Sequence, residues 1–425
     1  MAEFTITAIG ALGDGLAKTG RETVFIPFTL PGEVVEARED GKTSTGGRRY
    51  RLETLIKPAI ERQPPICSHF GMCGGCALQH YDQAAYLAWK RQLVVDAFAS
   101  ANIETDVASC IASSPHSRRR VVLSANRTNG ALVLGFHARA SSDLVAIEEC
   151  PILLPEIEQA FSHLRALAPV LLRGKEELQI AITACDNGLD LDFRLEEAPN
   201  EDMMAAFVRA FARTPFLRAS LDGDIIVERE KPKITFGDAT VELPSGGFSQ
   251  AVASIENAMG ALVCQHLKKA KRVADLFSGS GTFALRLSRN SRVHAVEMEK
   301  PPLAALIAAS GGDGLKSVTV ENRDLHQLPL MASELKPYDG LCLDPPRAGA
   351  ELQVREIAKS AVSRVSYVSC NPVTLARDSA HLIAAGFTLK SVTPLDQFLF
   401  SHHVEVVALF ERKTSKAQRP IFARR

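Results

Sequence analysis

The stretch "YVSCNPVTLARD" (367–378) ends a mostly apolar run in Ser369-Cys370-Asn371-Pro372 and then turns helical. Most free cysteines are small buried hydrophobes. A cysteine that projects from a strand end over a ligand crevice is placed instead as a nucleophile. Further along, "HHVEVVALF" sets Glu405 at the opening of the last apolar run, beside His402 and His403. Alone, that carboxylate reads as edge polarity; with Cys370 it completes a two-residue plan. Uracil C5 is a poor nucleophile, but a thiolate added at C6 turns C5 into an enolate carbon that attacks a methyl group. A base must then remove the C5 proton so that the thiolate can leave.

Such a plan needs a methyl donor held nearby. In "VADLFSGSGTFALRL", Asp275 ends a strand, Gly279 and Gly281 form a turn, and a helix follows. Dinucleotide enzymes use the same device, but their spacing wants a third glycine where Ala284 stands. Glu297 ends the next strand, where a carboxylate can accept from both ribose hydroxyls. Together these features favour S-adenosylmethionine over NAD. "LCLDPPRAG" then ends a fourth strand on Asp344, with paired prolines stiffening the loop. Enzymes that methylate exocyclic amines carry an aromatic after the prolines; Arg347 stands there and disfavours that chemistry. In an open α/β sheet, ligands sit beyond the carboxyl ends of the strands. Asp275, Glu297, Asp344 and Cys370 are therefore expected on one rim.

A second constellation is Cys67-x5-Cys73-x2-Cys76, with Cys150 far downstream in "AIEECPIL". Three close thiols on a Gly-rich loop, closed by a remote fourth, can ligate a [4Fe–4S] cluster. A four-cysteine zinc site is the competitor, although it usually uses two short pairs. The x5-x2 spacing does not match the x3-x2 of radical S-adenosylmethionine enzymes. Cys110, Cys185, Cys264 and Cys342 read as core residues.

These residues need elements to hold them. The 425-residue chain is 46% hydrophobic and 23% charged, the composition of an ordinary globular protein with room for several cores. Lys+Arg and Asp+Glu balance at 49 each, so any nucleic-acid binding must rest on local patches. Neither a secretory leader nor a membrane span is visible, and a cytoplasmic monomer is expected. Residues 1–58 read as short strands separated by glycine turns, a small barrel suited to single-stranded nucleic acid. Within it, "GGRRYR" (46–51) sets arginines beside Tyr50, as a base-stacking surface would. Residues 59–249 read as a central α+β domain carrying the cysteine loop. A helix from about Asp82 has Ala85, Leu87, Ala88, Leu93 and Val94 on its apolar side. Arg118, Arg119 and Arg120 in "SPHSRRRVVL" are expected to contact phosphates. From 250 to 413, strand and helix alternate as in a doubly wound parallel sheet. The tail 414–425 is basic.

"DLFSGSGTF", "LDPPRAG", "SCNPVTLARD" and "HHVEVVALF" together resemble the RNA uracil-5 methyltransferases, the family of the tRNA T-loop and 23S rRNA uridine methylases. "GLAKTGRETVFIPFTLPGEVVEA" is similar to that family's N-terminal TRAM domain, and "LPSGGFSQAV" to its Phe-x-Gln segment. The resemblance implies an α/β fold: a Rossmann-like class I methyltransferase domain behind a TRAM/OB-like β-barrel and a central iron–sulfur domain. It gives Cys370 as nucleophile and Glu405 as base. It also gives Gln250, Phe277, Glu297 and Asp344 as S-adenosylmethionine contacts, with Asn322 and Asp324 near the adenine. The quartet followed by "ALQH" is similar to the 23S rRNA branch, which implies a [4Fe–4S] cluster on Cys67, Cys73, Cys76 and Cys150 and an rRNA substrate. The same chemistry on uridine 54 of tRNA is the nearest alternative, and a non-catalytic RNA-binding factor is one from another class. A cytosine-5 enzyme would carry Cys where Pro346 stands. The chain departs from the family in reading Gln250-Ala251-Val252 rather than Gln-x-Asn, and in having Thr282 where Asn is common. The target uridine must leave its stack to reach Cys370, so loop or single-stranded RNA is implied.

Overall fold

The structure is a computed structural model that describes residues 1–43, 46–173 and 176–413. The basic tail 414–425 lies outside the described residues.

The first unit comprises β1 (Ala2–Thr5), β2 (Ala8–Ile9), β3 (Gly15–Thr19), β4 (Glu22–Ile26), β5 (Val34–Lys42) and β6 (Arg48–Lys57). They form one six-stranded sheet in the order β1-β5-β6-β4-β3-β2. Alternate residues such as Val24, Ile26, Val35 and Ala37 point inward to a core with Phe4, Ile6 and Tyr50. Tyr50 is buried edge-on against Phe4, ring centroids 4.8 Å apart. It is therefore core and not a base-stacking surface, and Arg48 beside it is paired with Glu39.

The central unit starts with α1 (Gln83–Ser100), whose first turn is capped by Asp82 accepting from the amides of Ala84 and Ala85. Its strands are β7 (Arg120–Thr128), β8 (Ala131–His137), β9 (Leu144–Ala146), β10 (Leu178–Cys185), β11 (Gly188–Arg194), β12 (Arg218–Leu221) and β13 (Asp224–Glu228), in sheet order β13-β12-β11-β10-β7-β8-β9. The turn between β7 and β8 is Asn129-Gly130, both at positive φ (52° and 82°), as a two-residue hairpin demands. Helices α2 (Pro155–Gln159), α3 (Phe161–Leu171) and α4 (Glu201–Phe211) cover the sheet. A hairpin of β14 (Lys233–Phe236) and β15 (Ala239–Glu242) follows and packs into the core of the last unit.

Helix α1 departs from the expected face. Its buried residues are Tyr86, Lys90, Val94 and Phe98, one every fourth position. A lysine centres this stripe because its charge is met: Lys90 has no exposed surface and pairs with Asp396, itself fully buried. Val94 and Phe98 enter the same core as the last unit's strands, so α1 is a brace on that unit.

The last unit contains α5 (Ala253–Leu267), β16 (Arg272–Leu276), α6 (Ala284–Ser288), β17 (Arg292–Glu297), α7 (Lys300–Ala309), β18 (Val318–Asn322), β19 (Gly340–Leu343), α8 (Glu351–Lys359), β20 (Arg364–Ser369), α9 (Pro372–Ala384), β21 (Thr388–Leu395) and β22 (Glu405–Glu411). The sheet order is β18-β17-β16-β19-β20-β22-β21. Every strand expected from the sequence is present, but the sheet is not wholly parallel. β22 inserts between β20 and β21 and runs antiparallel to both. That reversal decides where chemistry can occur. β20 brings its end, Ser369, to the ligand rim, and opposite it lies Val406, next to the start of β22. Only an antiparallel strand puts its first residue, Glu405, on the rim where its neighbours put their last.

Candidate active site

A cavity of about 440 Å³ opens at this rim, within the range of small-molecule sites. Of the residues expected from the sequence, Gln250, Phe277, Glu297, Asp324, Asp344, Cys370 and Glu405 line it. Asp275 does not. It is wholly buried inside β16 with Cys342 beside it, and burial pushes its carboxyl up to about 7. Asn322 is not a wall residue either; its Nδ2 donates to the carbonyls of Glu297 (3.2 Å) and Met298 (2.6 Å) and ties β18 to the end of β17.

The glycine turn after β16 is shaped by close approach. A Cβ on Gly281, which sits at φ +100°, would lie 2.5 Å from Leu306 Cδ1. Phe277, at φ +64°, holds a left-handed conformation that a bulky residue adopts only under constraint. Glu297 closes the turn from the neighbouring strand: one carboxylate oxygen accepts from Gly279 N (3.0 Å), the other from the amides of Met298 (2.7 Å) and Glu299 (3.0 Å). A carboxylate has about four acceptor positions, so capacity remains for a ligand hydroxyl. The hydroxyls of Ser278 and Ser280, both on the wall, are buried without a hydrogen-bond partner.

On the other side, Glu405 is 4% exposed and burial pushes its carboxyl up to about 7. The Cys370 thiol is pushed up to about 11 by burial and by Glu405, while the Arg347 guanidinium, hydrogen-bonded to it, pulls the other way. Arg347 also donates to His403 Nδ1 (2.6 Å), and burial holds that imidazole down at about 4, in its neutral form. Asp344 is raised well above the usual range by burial and then by Glu405 and Asp275. A buried carboxyl near pH 7 and a thiol facing a cation are what base and nucleophile require.

Sequence reasoning missed Gln397. It lies between β21 and β22, buried, and its Nε2 donates to Oε1 of Gln250 (2.8 Å) and Oε1 of Glu405 (3.2 Å). The only trace in the sequence is a polar pair, Asp396-Gln397, interrupting two apolar runs. Its neighbour Asp396 accepts from Tyr86 Oη (3.0 Å) and from Lys90, whose Nζ also donates to the carbonyls of Phe398 (3.1 Å) and His403 (2.6 Å). Helix α1 thus fastens the segment that leads into Glu405.

The three arginines do not form a phosphate patch. Arg119 is 6% exposed, bonded to the Gln250 carbonyl (3.0 Å) and to Glu256 (2.6 Å). Arg118 lies over the Phe398 ring, and Arg120 over the ring of Phe248 at the cavity mouth (5.0 Å). Alternation along the chain sends consecutive side chains to opposite sides.

A separate cavity of about 50 Å³ is walled by Cys67, Cys73, Cys76 and Cys150 together with Arg118. The Gly-rich loop is pinned by Gly74 N donating to the His137 carbonyl (2.9 Å), where a Cβ would lie 2.8 Å from that oxygen. Burial, and the other thiols, push Cys76 up to about 11 and Cys150 up to about 12. Among the described residues, no three His, Cys, Asp or Glu side chains form a group suited to a single metal ion. Among those residues, too, no helix is long and apolar enough to cross a membrane.

Residues 206–413 match the family model described as tRNA (uracil-5-)-methyltransferase. An uncharacterized RNA methyltransferase of Brucella suis is 46% identical over 411 residues, covering 96% of this chain and 98% of the relative. A 23S rRNA (uracil(1939)-C(5))-methyltransferase, RlmD, of Pseudomonas fluorescens is 32% identical over 428 residues, covering 96% of this chain and 93% of the relative. Among solved structures, the tRNA (uracil-54, C5)-methyltransferase of Pyrococcus abyssi in complex with S-adenosyl-L-homocysteine superposes with a TM-score of 0.78 at 20% identity, covering 96% of this chain and 99% of the other. At that identity the likeness establishes the fold.

Proposed function

We propose that this chain, which belongs to the family of S-adenosylmethionine-dependent RNA uracil-5 methyltransferases, methylates a uridine of 23S rRNA through a covalent bond from Cys370 to C6. The observation that carries the reading is a single cavity walled by the Cys370 thiol, facing Arg347, and by the buried carboxyl of Glu405. The 32% identity to RlmD, along nearly the whole chain, favours rRNA over tRNA.

The residues fit the methyl donor. The positive-φ glycine turn leaves room for a ligand to approach the backbone, Glu297 keeps acceptor capacity, and the Ser278 and Ser280 hydroxyls await partners. Gln250, Phe277, Glu297, Asp324 and Asp344 would hold S-adenosylmethionine, with Asn322 acting through the backbone of Glu297. When bound, the cofactor supplies an electrophilic methyl group that uracil C5 takes up. The Cys370 thiolate, held against the Arg347 guanidinium, first adds to C6 and places an electron pair on C5. Glu405 then takes the C5 proton; the C5–H pair re-forms the C5–C6 double bond, and the C6–S bond breaks to return the thiolate.

The four thiols fit a [4Fe–4S] cluster. They line one cavity, and burial disfavours the thiolate forms of Cys73, Cys76 and Cys150, which a cluster would restore. The six-stranded N-terminal unit is read as a TRAM-like RNA-binding barrel. These readings are tested by transfer of labelled methyl from S-adenosylmethionine to unmodified 23S rRNA and tRNA in parallel, digested to nucleosides. 5-Methyluridine in the rRNA alone is expected; product in tRNA alone overturns the substrate, and none in either overturns the activity. Iron, with visible charge-transfer absorbance, is expected in anaerobically purified protein; stoichiometric zinc would overturn the cluster.

A further inference from the structure

We propose that Gln397 is a positioning residue that couples the base Glu405 to the methyl-donor side of the cavity through a fixed chain of amides, an inference that rests on the reading above. Its two N–H donors are both spent on side chains: one on Gln250 Oε1 (2.8 Å), one on Glu405 Oε1 (3.2 Å). Gln250 Nε2 in turn donates to Asp344 Oδ2 (3.2 Å). The direction of the chain is forced. Turning the Gln397 amide over would set its carbonyl oxygen against both the Gln250 carbonyl and the Glu405 carboxylate, which are acceptors. In the orientation found, the Gln397 Oε1 is buried without a partner. A buried polar atom left unpaired is destabilising, and such atoms in native proteins tend to mark a function. Here the sacrifice lets one amide bridge base and cofactor walls.

The chemical effect follows from which protonation state an N–H donor favours. A hydrogen bond donated to a carboxylate favours its charged form. Burial opposes that form, while Lys90 from α1 and Arg347 from the proline loop assist it; Cys370 after β20 and Asp344 after β19 also face Glu405, whose charge hinders their own ionisation. Gln397 is the neutral group in this surround that touches Glu405 directly. It keeps the base charged and aimed without adding a charge that would pair with it and block its access to the C5 proton. As that proton passes to Glu405, the C5–C6 double bond re-forms and the Cys370 sulfur leaves with its electron pair.

The test uses Gln397→Met and Gln397→Leu, which keep bulk and remove both donors, beside wild type and Glu405→Gln, with 23S rRNA transcript. Three quantities are read: the pH profile of product formation in a single turnover, methylated enzyme–RNA adduct on a denaturing gel, and S-adenosylmethionine affinity by calorimetry. Expected for both Gln397 variants are an acid limb shifted about one pH unit upward, adduct accumulating near neutral pH, recovery in alkali, and cofactor affinity within about threefold of wild type. A rate lowered equally at every pH without adduct, an unchanged profile, or loss of cofactor binding would each overturn the inference. Glu405→Gln separates it from the parent reading. Adduct at every pH in that variant upholds Glu405 as base whatever Gln397 does, whereas normal turnover in it removes the base and Gln397's role together.

Discussion

At the scale of single residues, burial disfavours the charged forms of both Glu405 and Cys370. In its proposed role as base Glu405 must be charged, and burial raises it to about 7, so that form appears only as pH rises through that value. The thiol lies higher still, at about 11, and its thiolate also grows with pH. Both effects have the same sign: single-turnover methylation should climb from pH 6 to pH 9 without an alkaline decline in that range. A bell with its maximum near pH 6.5 would contradict it. Arg347 is the counterweight to the thiol, so Arg347→Met should slow alkylation of Cys370 by iodoacetamide at pH 8 by roughly tenfold, the size of one unit in pKa. Cys370→Ala should abolish transfer while S-adenosylmethionine still binds, by calorimetry. Cys370, Glu405 and Asp344 were legible in the sequence because each closes or opens an apolar run inside a motif, and Gln250 through the likeness of its Phe-x-Gln segment to the family's. Gln397 was not, since its importance consists of partners drawn from Gln250 and Glu405, which only the fold brings together.

At the scale of elements, the informative failures are α1 and β22. Periodicity located α1 but gave only part of its buried face, Val94, because hydrophobic patterning cannot foresee that a lysine goes inside when an aspartate about three hundred residues away meets it. The Lys90–Asp396 pair lies entirely in the core. Removing one partner of such a pair leaves an uncompensated buried charge, which typically costs about 3–5 kcal/mol. Lys90→Met should therefore lower the thermal midpoint sharply, and adding Asp396→Leu should recover part of the loss. An unchanged midpoint in the single variant would show that the pair holds nothing. The strand β22 was located correctly, but strand direction is not written in local sequence. Alternating strands and helices suggested a parallel sheet; the connection from 396 to 404 contains no helix, and a helix-free return of that length pairs antiparallel.

At the scale of the whole molecule, the units are stitched together at the cavity. Arg119 of the central unit bonds to Glu256 of α5 and to the Gln250 carbonyl, and the amides of Ala77 and Leu78, just after Cys76, both donate to the Phe400 carbonyl (2.8 and 3.1 Å). Phe400, at φ +60°, holds the strained bend that aims its oxygen there. The cysteine loop and the segment leading to Glu405 are thus one piece of structure. Stripping the proposed cluster with a chelator under reducing conditions should speed amide hydrogen exchange at residues 76–78 and 398–404 together; loosening of the cysteine loop alone would show that the contact carries no load.

That shared contact also bears on the order in which the protein is made. The chain emerges N-terminus first, and domains fold largely as they appear. Residues 77 and 78 must wait for residue 400, and Tyr86 for Asp396, a separation of 310 positions. Contacts so distant close late, after the chain has paid the loop entropy between them. On the proposed mechanism, a growing chain therefore holds its glycine turn well before it holds the base Glu405, and a product truncated before β22 would lack the group that completes release. On that mechanism, competence to let go of RNA would arrive with β22.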